Sequence, residues 1–341
     1  MQDDAFHAEA VTASASRLRA LEPELRRELF AGLLRVRLVE DRIRKLYPEG
    51  DMRCPTHLSL GQEAVAVGLC AALDGEDRLI SAHRSHAHYI ARGGSIPAMF
   101  AELYGKSEGC ASGKGGSMHL IDLAVNFLGC VPIVGSTIPI GVGAAFGARL
   151  QGKAGVTVIF FGDGAVETGV FHESVNFASV HRLPVIFVCE NNLYSVNTPL
   201  APRQPAWRSI VDLARGHGII ASQHDGQMVE AVYQVAAATV ASVRAGQGPA
   251  LLEFMTYRWA EHCGPLGDLH LGYRSQQEFD GWVARCPVAL QRAVLSSAGL
   301  LSEQREAQML AALEAEIDAA VAAARTAPFP ARDALFAGVY A

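Results

Sequence analysis

The chain has 341 residues, half of them apolar, which is enough for a large buried core. Its 29 Lys and Arg against 35 Asp and Glu leave a net charge of −6, with no basic surplus or stripe of the kind nucleic-acid binding uses. Seven scattered cysteines, none in a C-x-x-C pair, argue against a disulfide framework or structural zinc and suit a reducing cytoplasm.

Residues 1–20 are polar and Ala-rich and read as a poorly ordered tail without the basic and apolar regions of a signal peptide. Residues 22–46 carry Leu, Phe, Val and Ile at helical spacing among Arg and Glu, as an amphipathic helix does. A second, more apolar helix opens at Gly61-Gln62-Glu63 and runs through Leu73. A short strand follows, ending near Ser81, then a cation-rich turn with His83, Arg84 and His86, then a helix closed by Gly93 and Gly94. Residues 105–119 hold five glycines and form a long loop, which inside a compact domain is often functional. The next helix, at 135–150, has Gly143 and Gly147 four residues apart, so one face is nearly bare backbone and suits tight packing or a subunit contact.

Two apolar runs, 156–161 and 184–189, are rich in Val, Ile and Phe without alternation, as strands buried on both faces are. Between them Val166, Val170 and Ala178 mark a helix from Ala165, with Pro184 after its end. Strand, helix and strand make a right-handed βαβ unit with parallel strands. Another strand follows at 249–257, and 302–326 read as a long Ala/Glu-rich helix. All apolar runs fall well short of a membrane span. The fold expected is α/β: a doubly wound parallel sheet with helices on both faces and helical extensions at each end. The division expected is 1–50 for tail and first helix, 51–290 for the sheet domain and 291–341 for a C-terminal helical extension.

The first buried strand ends in Gly162-Asp163-Gly164 and the second in Glu190-Asn191-Asn192. Both turns lie at the carboxyl edge of a parallel sheet, where ligands bind in this architecture. A carboxylate and an amide oxygen then face one point, a hard donor set suited to Mg²⁺ or Ca²⁺ rather than zinc. Gly164 lets backbone approach closely, and the helix start after it offers free N–H groups to an anion. Metal and amides together make a diphosphate site. Either tripeptide alone is commonly a turn; on two neighbouring buried strands they form a specific signal.

The pattern resembles the thiamine-diphosphate motif, GDG followed by NN after about 25–30 residues. The segments HLSLGQEAVAVGL, GKGGSMHL, VGSTIPIGVGAA, FFGDGAVETGVFHESVNFAS, LPVIFVCENNLYSV and EFMTYRW, in order over roughly 55–275, resemble the α subunit of two-component 2-oxoacid dehydrogenases, the E1 components of pyruvate, branched-chain and acetoin systems. The resemblance implies the thiamine-diphosphate-binding fold, and Mg²⁺ held by the side chains of Asp163 and Asn192 and the backbone carbonyl of Tyr194. It implies diphosphate contacts from Arg84 and from the backbone around Gly162, Gly164 and Ala165, and aminopyrimidine contacts from the backbone of Pro132 and Val134. It places His262 beside the diphosphate. The candidate catalytic residues are His262, His83 and His86, of which His83 and His86 either line the substrate channel or cap the turn.

The resemblance also implies an incomplete enzyme. The glutamate that activates the cofactor's pyrimidine belongs, in the family, to a pyrimidine-binding domain on a β subunit, and this chain has no room for a second domain of that size. The expected assembly is α2β2, active on a pyruvate-like 2-oxoacid, with a lipoyl acyltransferase as the acyl acceptor. One stretch departs from the family. Tyr257-Arg258-Trp259-Ala260-Glu261-His262-Cys263 has Glu261 and Cys263 where the family commonly has glycine and serine, and the loop before Gly272-Tyr273-Arg274 differs in length. That loop borders the acceptor's channel, so transfer of a two-carbon unit to a sugar ketone or a carrier protein stands as the alternative. A non-catalytic phosphate-binding subunit on the same fold is the second alternative.

Overall fold

The computed structural model describes residues 21–337. The tail expected at 1–20 lies outside the described residues. A six-stranded sheet runs through the middle of the chain: β1 (Arg78–Ser81), β2 (Phe127–Cys130), β3 (Thr157–Gly162), β4 (Val185–Asn191), β5 (Ile220–Asp225) and β6 (Ala250–Met255). Every pairing is parallel and the order is β2-β1-β3-β4-β6-β5. The chain thus starts near the middle, winds outward to β2, crosses back and winds outward the other way, which is the doubly wound topology.

The helices of six residues or more are α1 (Pro23–Leu46), α2 (Glu63–Cys70), α3 (His86–Ala91), α4 (Ile96–Leu103), α5 (Thr137–Leu150), α6 (Gly169–Val180), α7 (Ile210–Gly216), α8 (Val229–Arg244), α9 (Gln276–Val283), α10 (Pro287–Ser297) and α11 (Glu303–Thr326). Successive strand side chains point to opposite faces, and both faces are covered. Val158, Phe160, Ile186 and Val188 join a core with Phe30, Leu33 and Val36 of α1, the α2 and α8 helices and Ile317 of α11. Ile159, Phe161, Phe187 and Cys189 join a second core with Ile138 and Val142 of α5, Phe171 and Val175 of α6 and Ala214 of α7. This double burial is why the two central strands read as unbroken apolar runs. The first helix and the long C-terminal one therefore share a core with the sheet.

Helix α5 lies close on β3 at Gly141, where a Cβ would stand 2.6 Å from the Ile159 side chain. Gly143 and Gly147 meet nothing within 4 Å. Their face points outward, beside Ile140 and Leu150, which are 52% and 71% exposed. Two boundaries differ from the sequence expectation by three residues or more. Helix α2 stops at Cys70 rather than Leu73. The segment after β3 is a 3-10 turn over Asp163–Glu167, and α6 begins only at Gly169. Thr168 is extended at φ −84° and ψ 142°, and its hydroxyl donates to the Ala165 carbonyl at 2.7 Å, closing the turn before the helix can start. Among the described residues no helix is long and apolar enough to cross a membrane.

Candidate active site

Strands β1, β3 and β4 are neighbours, and Gly162 pairs in register with Glu190. Their carboxyl ends therefore open into one cleft, a cavity of about 180 Å³. Its walls include His83, Arg84, Pro132, Val134, Gly162, Asp163, Gly164, Ala165, Asn192, Tyr194 and His262, so the fold brings these eleven sequence candidates together. His86 is the exception. It is fully buried behind the cleft, where Nδ1 lies 3.3 Å from Glu40 and Nε2 shares a 2.7 Å hydrogen bond with Ser117. It opens helix α3, and its ring faces α1 rather than the cavity. Its expected place in the channel is corrected accordingly.

Asp163 is buried, and its carboxylate is ion-paired with Arg203. Burial raises its carboxyl above the usual range, against the downward pull of that guanidinium. The two asparagines divide their work. Asn191 points away from the cavity, donating to Glu253 on β6 at 2.7 Å and accepting the Leu193 N–H at 3.1 Å. Asn192 lines the cavity, with Oδ1 accepting the Tyr194 N–H at 3.2 Å and Nδ2 donating to Gln62 at 3.3 Å. Leu193, which follows them, takes φ +73°, a left-handed turn that leads the chain into Tyr194.

Arg84 sits at the end of β1, 9% exposed. It donates to the carbonyls of Leu58 at 2.5 Å and His262 at 3.1 Å. Burial, then repulsion from Arg258, lowers its pKa to about 10, which still leaves it charged at neutral pH. Among the described residues no carboxylate comes within ion-pair distance of it. Glu40 and Glu190 attract it from farther off, but its hydrogen bonds go to carbonyls alone, and a buried cation so placed is poised for an anion.

Three imidazoles surround this guanidinium. His57 and His83 have ring centroids 4.6 Å apart, and His262 lies 4.9 Å from His57 and 5.5 Å from His83. Burial first, and Arg84 next, lowers their pKa values to about 2 for His57, about 4 for His83 and about 3 for His262. All three are neutral at physiological pH. Their ligand atoms lie within 4.8 Å of one another, which fits a metal by spacing, but the adjacent guanidinium repels a cation there. The buried Nδ1 atoms of His57 and His83 have no hydrogen-bond partner and are free for a ligand.

This cluster makes stability depend on pH. Unfolded, each ring takes a proton near its ordinary value of 6.5; folded, each refuses it down to about 4 or below. The unfolded state binds more protons in that window, so the contribution is complete above 6.5 and is lost as pH falls, down to about 4 for His83 and further for His262 and His57. Tm of the cofactor-free protein is expected to fall across that window, and the three ring C–H resonances should stay flat between about pH 5.5 and 8. Rings titrating near 6.5 would contradict the cluster.

Several cleft residues carry no role in the sequence reading: His57, Gln62, Glu190 and, behind Asp163, Arg203. His57 and Gln62 lie in the HLSLGQE segment, where buried polar residues among Leu were the available signal. Glu190 lies 3.2 Å from His88, whose ring stacks on Phe160 at 3.9 Å and meets the Ser81 hydroxyl at 2.8 Å.

Comparison with known proteins places the chain in a family. The family described as "Dehydrogenase E1 component" matches residues 31–332. The chain belongs to the dehydrogenase E1 component family. Similar proteins include the acetoin:2,6-dichlorophenolindophenol oxidoreductase α subunits of Cupriavidus necator, 38% identical over 97% of this chain and 99% of the relative, and of Bacillus subtilis, 37% identical over 92% of each. The pyruvate dehydrogenase E1 α subunit of Porphyra purpurea is 35% identical over 89% of each chain. Membership makes this E1 chain a thiamine-diphosphate-dependent α subunit, with 2-oxoacid decarboxylation and acyl transfer as its chemistry and a β subunit as its partner.

In this E1 chain the stretch after β6 is firmly anchored. Asp268 is buried and accepts from Arg258 at 3.0 Å and from Arg274 Nε at 2.8 Å, with Tyr273 bonded to the same carboxylate. These donors hold its pKa below the usual range despite burial. Glu261 accepts the Leu266 N–H at 2.9 Å and closes the loop that follows His262, leaving Cys263 exposed.

Proposed function

We propose that this α subunit holds the diphosphate half of the cofactor, decarboxylates a pyruvate-like 2-oxoacid with its β partner, and passes the acyl unit to a lipoyl acyltransferase. In this reading Mg²⁺ is held by the side chains of Asp163 and Asn192 and the Tyr194 carbonyl, and the assembly is α2β2 in the cytoplasm. The observation that carries it is Arg84: a buried guanidinium with no carboxylate partner, in one cleft with Asp163 and Asn192. Such a set fits a diphosphate bridged by a hard divalent cation.

Bound thiamine diphosphate supplies the electron sink for breaking the bond beside a carbonyl. The chain's own residues bind and orient. Arg84 would neutralise diphosphate charge, the amides of Gly164 and Ala165 would bind its oxygens, and the backbone of Pro132 and Val134 would hold the aminopyrimidine. His83 and His262, both neutral, offer hydrogen bonds at the channel without adding charge. The cavity is smaller than the 300 Å³ or more usual for small-molecule pockets. Ile133, Val134 and Val196 stand 50–70% exposed at its rim, which supports completion by a partner subunit.

A second substrate has its own support. The acetoin relative aligns over nearly the whole of both chains, and acetoin has no carboxylate, which suits walls of neutral imidazole. The test pairs the purified chain with its β subunit, thiamine diphosphate and Mg²⁺, and follows reduction of an artificial electron acceptor with pyruvate or acetoin. Turnover is expected only when all components are present. Turnover of neither substrate, with no cofactor binding, would overturn the reading in favour of a non-catalytic phosphate-binding subunit. Cleavage without transfer to a lipoyl domain would point to a sugar ketone or carrier protein as acceptor.

A further inference from the structure

Both side chains assigned to the metal are gripped by a neighbour. Arg203 ends the helical turn Leu200–Arg203, in the segment that follows the Tyr194–Ser195 and Thr198–Pro199 hairpin. It does not line the cavity. It reaches Asp163 from behind, with Nη2 on Oδ2, while Nη1 meets Glu167 at 2.5 Å and Nε donates to the Thr198 and Pro199 carbonyls at 3.2 Å each. Gln204 adds a 3.0 Å bond to Glu167. The side chain is 10% exposed and has partners on every nitrogen, so its position is fixed. The hairpin also presses on the Gly-Asp-Gly turn: a Cβ on Gly164 would stand 2.8 Å from the Ser195 hydroxyl. Gln62 does the corresponding work across the cleft, occupying Nδ2 of Asn192 and so fixing which way that amide faces.

We propose that Arg203 is a positioning residue for Asp163, engaging one carboxylate oxygen from behind so that the other faces the cleft in a single orientation. The inference rests on the reading of Asp163 as a metal ligand. Groups that orient metal ligands contribute to affinity without touching the ion. Charge does not oppose the arrangement. Glu167 shares the guanidinium, so Arg203 with its two carboxylates carries one net negative charge, and a diphosphate adds more.

The α chain with its β partner is titrated with Mn²⁺ in the presence of thiamine diphosphate, free Mn²⁺ being read by electron paramagnetic resonance. Wild-type protein that binds no Mn²⁺ removes the metal assignment itself. If wild type binds, Arg203→Met is expected to weaken Mn²⁺ about 10-fold or more, with partial recovery in Arg203→Lys. Affinity that is unchanged in Arg203→Met overturns the proposal and leaves Arg203 a brace for the hairpin. Affinity that tightens overturns it in favour of a cation competing for the same carboxylate. Should Arg203→Met not fold, Arg203→Gln keeps a neutral donor of similar reach and is judged by the same directions.

Discussion

Replacing Asp163 by alanine is expected to weaken retention of thiamine diphosphate with Mg²⁺ by about 100-fold or more, and activity with it. The change removes the one carboxylate assigned to the metal, and Asn192 with the Tyr194 carbonyl supplies no negative charge to replace it. It also strips Arg203 of one of its two carboxylate partners. Glu167 remains, so the buried guanidinium is weakened rather than abandoned, and the stability loss should be about 1–3 kcal/mol. Asp163→Asn separates the two effects: the shape is kept, the charge is lost, and the amide can still accept from Arg203. Cofactor binding by calorimetry and Tm by scanning fluorimetry distinguish them. Loss of binding with a small fall in Tm supports the metal assignment, and retained binding in Asp163→Ala removes it.

The centre of the fold was legible because its physics is simple. Each of β3 and β4 serves two cores, so neither face can be polar and the runs are continuous. Parallel pairing then brings Asp163 and Asn192 together whatever the length of the crossover between them. The outer strands carry no such signature. Ile220, at the start of β5, is 58% exposed, and the strand continues as Ala-Ser-Gln-His-Asp, held on β6 by backbone pairing. At four residues, β2 is too short to show a period. Groups that reach the site by tertiary folding were equally hidden. Arg203 is 40 residues from Asp163 and comes back on the helical turn that follows a hairpin. His57 reaches the cleft because Arg84 holds the Leu58 carbonyl and Trp259 donates to the Leu60 carbonyl. His86 was misplaced for the converse reason. It lies three residues beyond His83, but the start of α3 turns its ring toward Glu40.

Glu102→Ala is expected to be among the most destabilising single changes in the chain. Glu102 lies near the end of α4, 1% exposed, and its carboxylate takes the place of water for the glycine loop. Oε2 accepts the N–H groups of Ala111 and Gly113 at 2.8 Å each, and Oε1 those of Gly115 and Gly116 at 2.7 and 2.9 Å. Four loop amides thus converge on one side chain, with Ser112, Gly113 and Gly116 at positive φ to turn them inward. Gly109 could not carry a side chain, since a Cβ there would fall 2.3 Å from Oε2. Each buried donor left without a partner costs about 1–3 kcal/mol. Water entering from the adjoining cavity, which Gly113, Gly115 and Gly116 also line, recovers part of that. The net loss should be about 3–4 kcal/mol. Glu102→Gln should lose less, because its amide keeps one acceptor oxygen for two of the four donors. The effect should also reach the cleft, because the same loop carries Ser117, bonded to His86, and Met118, which lines the cavity. Denaturant unfolding measures the stability term. Weakened cofactor binding in the folded fraction of Glu102→Gln measures the coupling, and binding equal to wild type there would show that the loop holds the fold without shaping the site.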